Sequence, residues 1–340
     1  MKKTLRLLQF AVLATILFSA CKKGDKQPAQ PPTIYVVGYE DISTNNVNVL
    51  EAATYWKNGA PTHVSTSGKF ASANCMYVAD TDVYIGGSQL DGPYYVAKYW
   101  KNGTAVTLSD DTKDAAVISM FVSGHDVYAL VTEYGDKTMI VTCYKNGIPA
   151  KITDGSKMSN AYNVYVSNGD VYVSGFEANA AGVWIAKYWK NGIPFELSDG
   201  TNHTAAESIY VSGNDVYISG SERYNGHEIA RYWKNGVPVI LTDSTNNAYT
   251  TSILASGKDV YVTGFEKKDL NNIAKYWKNG AAIELTDGSQ NAGAYGIALW
   301  NGDVYVAGIE GNIAKYWKNA VPFPLTNGTK EAAAYGIFIK

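Results

Sequence analysis

The chain has 340 residues, with 29 Lys and Arg against 31 Asp and Glu, a formal net charge of −2, 26 Tyr and 32 Gly. Charge of both signs is spread without long runs, which counts against a nucleic-acid partner. The three cysteines form no CxxC pattern, HExxH is absent, and His63, His125, His203 and His227 have no ligand spacing, so neither a metal nor a cofactor is implied.

The N-terminus comes first. Lys2, Lys3 and Arg6 precede the apolar run LLQFAVLATILFSA, whose fourteen residues are too few for a bilayer span of about 20. Residues 1–20 therefore predict an export signal, and removing them leaves 26 basic residues against 31 acidic ones. The stretch LFSAC ending at Cys21 resembles the lipobox of bacterial lipoproteins, with Phe18 where leucine is usual. The resemblance implies a diacylglyceryl thioether and an acylated amine on Cys21. Several acyl chains at about 0.8 kcal/mol per buried CH₂ make a stable anchor. It also implies a cell-envelope location, at the outer membrane. Residues 21–32, polar and proline-rich, read as a tether.

From residue 33 the sequence repeats. The Lys of Tyr-Trp-Lys-Asn-Gly or a close variant stands at Lys57, Lys101, Lys145, Lys190, Lys234, Lys278 and Lys318, spaced by 44, 44, 45, 44, 44 and 40 residues. A second marker, the Tyr of Asp-Val-Tyr, recurs at Tyr84, Tyr128, Tyr172, Tyr217, Tyr261 and Tyr305, and Tyr35 is its seventh copy. Each unit reads as four short strands, A (SIYVSG), B (DVYISG), C (IARYWKNG) and D (VPVILTD), here quoted from residues 208–243. That is the size of a propeller blade. Both faces of such a strand set are apolar or aromatic, as a blade stacked between two neighbours requires: Val304, Val306, Ile313 and Trp317 share one face, Tyr305, Ala307 and Tyr316 the other.

The chain opens on a strand B and ends on a strand A, AYGIFIK. The expectation is an all-β, seven-bladed β-propeller over residues 33–340, closed by the C-terminal strand A pairing with the N-terminal strands B, C and D. Proline at 61, 149, 194, 238 and 322 puts strand D at the outer edge, and Asn-Gly between C and D predicts type I′ turns. Cys75 and Cys143 read as apolar fillers rather than a disulfide.

The separation from marker Tyr to the next marker Lys varies from 13 to 22 residues, whereas Lys to the next Tyr is always 27. All length variation thus falls in the B–C loops, on one face of the disc, which is where recognition is expected. Candidate ligand-binding residues there are Glu40, Gln89, Tyr94, Glu133, Tyr134, Trp184, Tyr224 and His227. Glu40, Gln89, Glu133, Glu177, Glu222, Glu266 and Glu310 occupy one repeat position. Diagonal to them stand Thr54, Lys98, Thr142, Lys187, Arg231, Lys275 and Lys315, which predicts a ring of ion pairs from which Glu40 and Glu133 are left out. Asp110, Asp154, Asp199, Asp243 and Asp287 read as turn caps.

The tandem units, such as DVYVSG, AKYWKNG and LSDG over residues 170–200, resemble bacterial (Bacteroidota-like) β-propeller lipoproteins, and the resemblance covers essentially all of residues 33–340. The aspartate-box, WD, kelch and quinoprotein signatures and the Tyr-Trp-Thr-Asp motif of receptor propellers are absent. No catalytic residue is assigned. The expected function is an envelope-anchored, non-enzymatic, monomeric recognition or scaffold module that binds a glycan, peptide or protein through the B–C face. The alternatives are a polysaccharide hydrolase or lyase using Glu40 or Glu133, or a purely structural assembly component.

Overall fold

Seven antiparallel sheets of four strands each stand around a common centre. The computed structural model describes residues 31–43, 51–65, 69–135 and 138–340. The expected export segment, the Cys21 expected to carry lipid and nearly all of the expected tether lie outside the described residues, as does the middle of the first B–C loop. The strands run β1 to β28 in chain order. Blade 1 is assembled from both ends of the repeat region: β28 (Ala332–Ile339) pairs with β1 (Ile34–Asp41), followed by β2 (Glu51–Lys57) and β3 (Ala60–His63). The pairing runs from Ile34 opposite Ile339 to Glu40 opposite Ala332, and Thr33 and Lys340 exchange both backbone hydrogen bonds, at 2.6 and 3.0 Å. Blades 2 to 7 each use four consecutive strands.

The inner strands are β4 (Ala71–Ala79), β8 (Ala115–Ser123), β12 (Ser159–Ser167), β16 (Thr204–Ser212), β20 (Ala248–Ser256), β24 (Ala292–Trp300) and β28. Each contacts the next around the ring, and β28 contacts β4. The outer strands are the short proline-bearing ones expected, for example β11 (Ile148–Lys151), β15 (Ile193–Glu196) and β27 (Val321–Pro324), all exposed along their length.

There is no single core. Seven apolar clusters fill the seven interfaces, and each mixes neighbouring blades. The marker Tyr of one blade meets the marker Trp of the next: Tyr172 with Trp233, Tyr217 with Trp277, Tyr261 with Trp317. At the closing interface Trp56 packs against Ala307 and Ala314 of blade 7 and Ala332 and Ala334 of β28. Trp56, Trp100, Trp189, Trp233, Trp277 and Trp317 are at most 3% exposed. Each such indole removes roughly 150–250 Å² from water, worth about 4–6 kcal/mol before entropy is counted. Blade 3 has Tyr144 at this position. Cys75 and Cys143 are free thiols, and burial pushes both pKa values up to about 12, which suits apolar fillers.

The two repeat markers turn out to be one interlock. In all seven blades the Asn of the Lys-Asn-Gly turn accepts, through Oδ1, a backbone N–H at the start of strand B. In six it also donates Nδ2 to the Asp of Asp-Val-Tyr. The adjacent Lys reaches the other oxygen of that Asp and lies over the marker Tyr ring, as Lys101 does with Asp82 at 2.8 Å and Tyr84 at 5.2 Å. Positive φ at both Asn and Gly, 50° and 82° at Asn102 and Gly103, is the type I′ geometry expected. In the last blade Ala320 replaces the Gly and is held at φ 65°.

A non-glycine residue there costs about 1 kcal/mol. Ala320→Gly is therefore expected to raise the thermal midpoint by a few degrees, read by circular dichroism; an unchanged or lower midpoint would contradict the strain. Deleting residues 334–340 removes most of β28 and should abolish the single cooperative melt. A truncated chain that melts like the full one would refute closure through β28.

Candidate functional site

The two faces of the disc differ in kind. The interlocked A–B and C–D turns form one face. The B–C hairpins and D–A connections form the other, and there side chains diverge between blades. The D–A segments are held by three repeated bonds. A Ser or Thr of the Leu-Ser/Thr-Asp triplet accepts a strand C backbone N–H in six blades. The following Asp caps its own turn, as Asp199 does for Thr201 N at 2.9 Å, and Asn327 does the same in blade 7. Asp114, His203, Asn247 and Asn291 then accept the N–H of Tyr95, Trp184, Glu228 and Asn272, which ties down the B–C hairpins of blades 2, 4, 5 and 6.

The ring of ion pairs is present in four blades, between Lys187 and Glu177 (2.8 Å), Arg231 and Glu222, Lys275 and Glu266 (2.7 Å), and Lys315 and Glu310 (2.5 Å). These cations are well buried beside the interface tryptophans, Lys275 being 5% exposed. The exceptions are repaired locally. Where Gln89 replaces Glu, Asp91 two residues on pairs with both Lys98 and Lys69, and those ammonium groups hold its carboxyl down at about 2. Glu133 has Thr142 diagonal to it but takes Lys113 at 2.7 Å. Thr54 is fully buried and bonds Ala52 O and His63 Nδ1.

The candidate residues are dispersed around this rim. Tyr134 lines a cavity of about 580 Å³ with Phe70, Tyr95, Ser72, Asn74, Ser88, Glu51 and Asp114, spanning blades 1 to 3. Burial and the nearby Glu331 and Asp41 charges raise the Glu51 pKa. Tyr94 is exposed next to that cavity, and Gln89, 4% exposed, is tied to Asp91 inside the sheet. Glu133 lines a second cavity of about 550 Å³ and Glu40 a third of about 560 Å³, beside Lys330. Trp184 stacks on Phe176 at 4.4 Å and meets His203 edge-on. Tyr224 and His227 face each other across a B–C turn in blade 5. Among the described residues no group of His, Cys, Asp and Glu is arranged to hold a metal.

A set of residues absent from the sequence-derived candidates lines the central channel. Every inner strand carries a bulge at the same place, where one residue is left out of the ladder. The seven bulged residues are Asn74, Ile118, Tyr162, Glu207, Thr251, Tyr295 and Tyr335, and all seven line one cavity of about 260 Å³. The bulge brings the strand A backbone so close to strand B that glycine faces it in six blades: a Cβ on Gly220 would sit 2.0 Å from Ala205 O. Three residues further along, Phe338, Tyr77, Phe121, Tyr165 and Tyr210 touch ring to ring from one inner strand to the next, with centroids 4.8–5.5 Å apart. In the bulge ring, Tyr295 and Tyr335 meet edge-on at 5.4 Å. Glu207 accepts hydrogen bonds from Thr250 Oγ1 (2.5 Å) and Ser221 Oγ (2.9 Å). Burial raises its pKa to about 7 against those two bonds, which pull the other way.

No protein-family model matches the chain, and no curated protein matches its sequence. Solved structures share the fold. A puromycin-hydrolyzing peptidase of Mycobacterium tuberculosis superposes with a TM-score of 0.59 at 8% identity, covering 86% of this chain and 53% of its own, so the chain spans about half of that enzyme. The β-propeller domain of the Trilobed protease from Pyrococcus furiosus gives 0.54 at 8% identity, over 87% and 94%. TolB from Acinetobacter baumannii gives 0.50 at 11% identity, over 88% and 81%. The Pyrococcus domain is described as an open velcro; in this chain β28 pairs with β1.

Two outcomes follow from the burial. Glu266→Gln leaves the buried Lys275 without its main partner and should cost about 2 kcal/mol, discounted for the partial exposure of Glu266; denaturant melts that coincide with the parent's would contradict it. Glu207 holds a proton in the folded state between its ordinary pKa of 4.5 and about 7 that the unfolded chain releases, so stability falls as pH rises through that window. Glu207→Gln should therefore raise the melting temperature at about pH 8 and change it little near pH 4. Equal shifts at both pH values would show that burial of the charge is not the cause.

Proposed function

We propose that the protein is an envelope-anchored, non-enzymatic recognition module, held to the membrane by lipid on Cys21, that binds a glycan through the B–C face. The cavity between blades 1 and 3 carries this reading. Phe70, Tyr95 and Tyr134 offer exposed aromatic surface over which a sugar ring can stack. Ser72, Ser88, Asn74, Glu51 and Asp114 place hydroxyl, amide and carboxylate groups around it for the sugar's hydroxyls. The cavity walls are side chains on strands and tied hairpins, so little ordering entropy is lost on binding.

A hydrolase needs two carboxyl groups flanking one glycosidic bond. Glu40 and Glu133 line separate cavities, and Glu133 is neutralised by Lys113. That geometry speaks against turnover by Glu40 and Glu133; in the aromatic cavity Asp114 is already engaged as the acceptor for Tyr95 N–H.

A glycan array probed with the full chain in detergent tests the proposal. A subset of glycans should be retained, and Tyr95→Ala or Tyr134→Ala should weaken retention at least about tenfold, the loss of one stacked ring, with the melting temperature unchanged. Retention untouched by both substitutions, or no retained glycan, would refute it.

A further inference from the structure

The channel holds a carboxyl group with everything around it except a countercharge. Glu207 alone among the seven bulged residues is ionisable below neutral pH, standing where the other blades place Asn, Ile, Tyr, Thr, Tyr and Tyr. Two hydroxyls orient it, yet among the described residues no Lys, Arg or His forms an ion pair with it. The protein treats its other inward charges differently, since the four buried rim pairs and the Asp91 and Glu133 substitutes each bring acid and base together. A carboxylate in a confined, partly dry space without a cation is costly unless something else supplies one.

The rest of the lining says what that is. Tyr162 neighbours Glu207 around the ring, and Tyr295 and Tyr335 line the same cavity from the other blades. Ring faces carry negative quadrupole potential and attract cations within about 6 Å. The cavity of about 260 Å³ equals the liquid volume of roughly eight waters, enough for a few heavy atoms and too little for a polymer. We propose that the channel around Glu207 is a binding site for a small organic cation, a primary or quaternary amine, paired with the Glu207 carboxylate and held between tyrosine rings.

Other charged groups act on the site as well. Tyr162 on β12, Glu228 on β18 (His227–Lys234) and Tyr249 on β20 interact electrostatically with Glu207, and Arg223 on β17 (Asp215–Tyr224) acts on Glu228 and Tyr249 rather than on Glu207. Glu228 adds negative potential at the carboxyl, which opposes its ionisation and favours an arriving cation. An amine must therefore displace the Glu207 proton, so its affinity rises with pH toward about 8 and binding releases protons near neutrality. This site is independent of the aromatic cavity between blades 1 and 3, although Asn74 borders both.

Isothermal titration calorimetry on the full chain in detergent, at about pH 8, tests it with choline and ethylammonium as probes and 3,3-dimethylbutan-1-ol as the uncharged isostere of choline. At least one amine should bind at a single site, the isostere should not, and Glu207→Gln should weaken binding at least about tenfold. Tyr335→Leu should weaken it too, while Tyr134→Ala leaves it unchanged. Glutamine keeps the shape and an acceptor for Thr250 and Ser221, so a cooperative melt confirms that the variant folds. Unaltered affinity in Glu207→Gln, equal binding of the alcohol, loss of binding with Tyr134→Ala, or no saturable binding of either amine would overturn the proposal.

Discussion

Each blade buries both of its faces against other blades, and the remaining features of the protein follow from that requirement. The Tyr, Ala, Tyr face of one sheet meets the Val, Val, Trp face of the next, so an isolated blade would expose two apolar surfaces and keep none of its core. The ring supplies a neighbour on both sides for every blade. Blade 1 differs only in taking its inner strand from the other end of the repeat region, and the apolar cluster around Trp56 is assembled by that exchange. Folding is thereby made long-range: the last interface forms only when residues about three hundred positions apart have met, and such non-local pairing is slow.

The interlocked turns and the variable loops are placed on opposite faces. The interlock of Lys, Asn, Asp and Tyr is repeated at the A–B and C–D turns, where its ion pairs are exposed and individually weak. Their contribution is geometric, since a neutral Asn bonded to two groups sets the register of three strands at once. The opposite face uses a different backbone-holding device, the Ser/Thr and Asx bonds of the D–A connections, which fixes the hairpins while leaving their tips free to differ. Aromatic surface accumulates on this face, in Tyr94, Tyr95, Tyr134 and Tyr224 of the hairpins and Phe70 of a D–A connection.

The architecture was legible because its determinants are periodic. Blade count, strand order, the outer position of the proline-bearing strands, the type I′ turns and four of the rim ion pairs all come from residues that recur at fixed spacing. The site was less legible for the converse reason. Glu133 has no diagonal lysine, but Lys113 reaches it from the preceding connection, at a repeat position that Lys69 and Lys157 also occupy and from which Lys157 reaches Glu177; reading only the diagonal pairs overlooks it. Asp91 rescues Lys98 in the same way. The channel ring escaped because pairing strands by strict alternation assumes no bulge. One signal was available: ten residues before each marker Tyr from Tyr84 onward lies a position constant in spacing and variable in chemistry, and the glycine opposite the bulge in six blades marks where two backbones close up.

The bulge also has a consequence for how such a ring can change. A residue left out of the ladder takes no part in the pairing of strand A with strand B, and its side chain borders the channel, where Asn74, Glu207 and Thr251 also bond the next blade. Seven such positions, one per blade, border one cavity and between them carry acidic, aromatic, aliphatic, hydroxyl and amide side chains. The inner strand thus keeps one backbone geometry at a position whose side-chain chemistry differs from blade to blade. Randomising those seven codons alone would sample ligand chemistries on a fold that the remaining residues continue to specify.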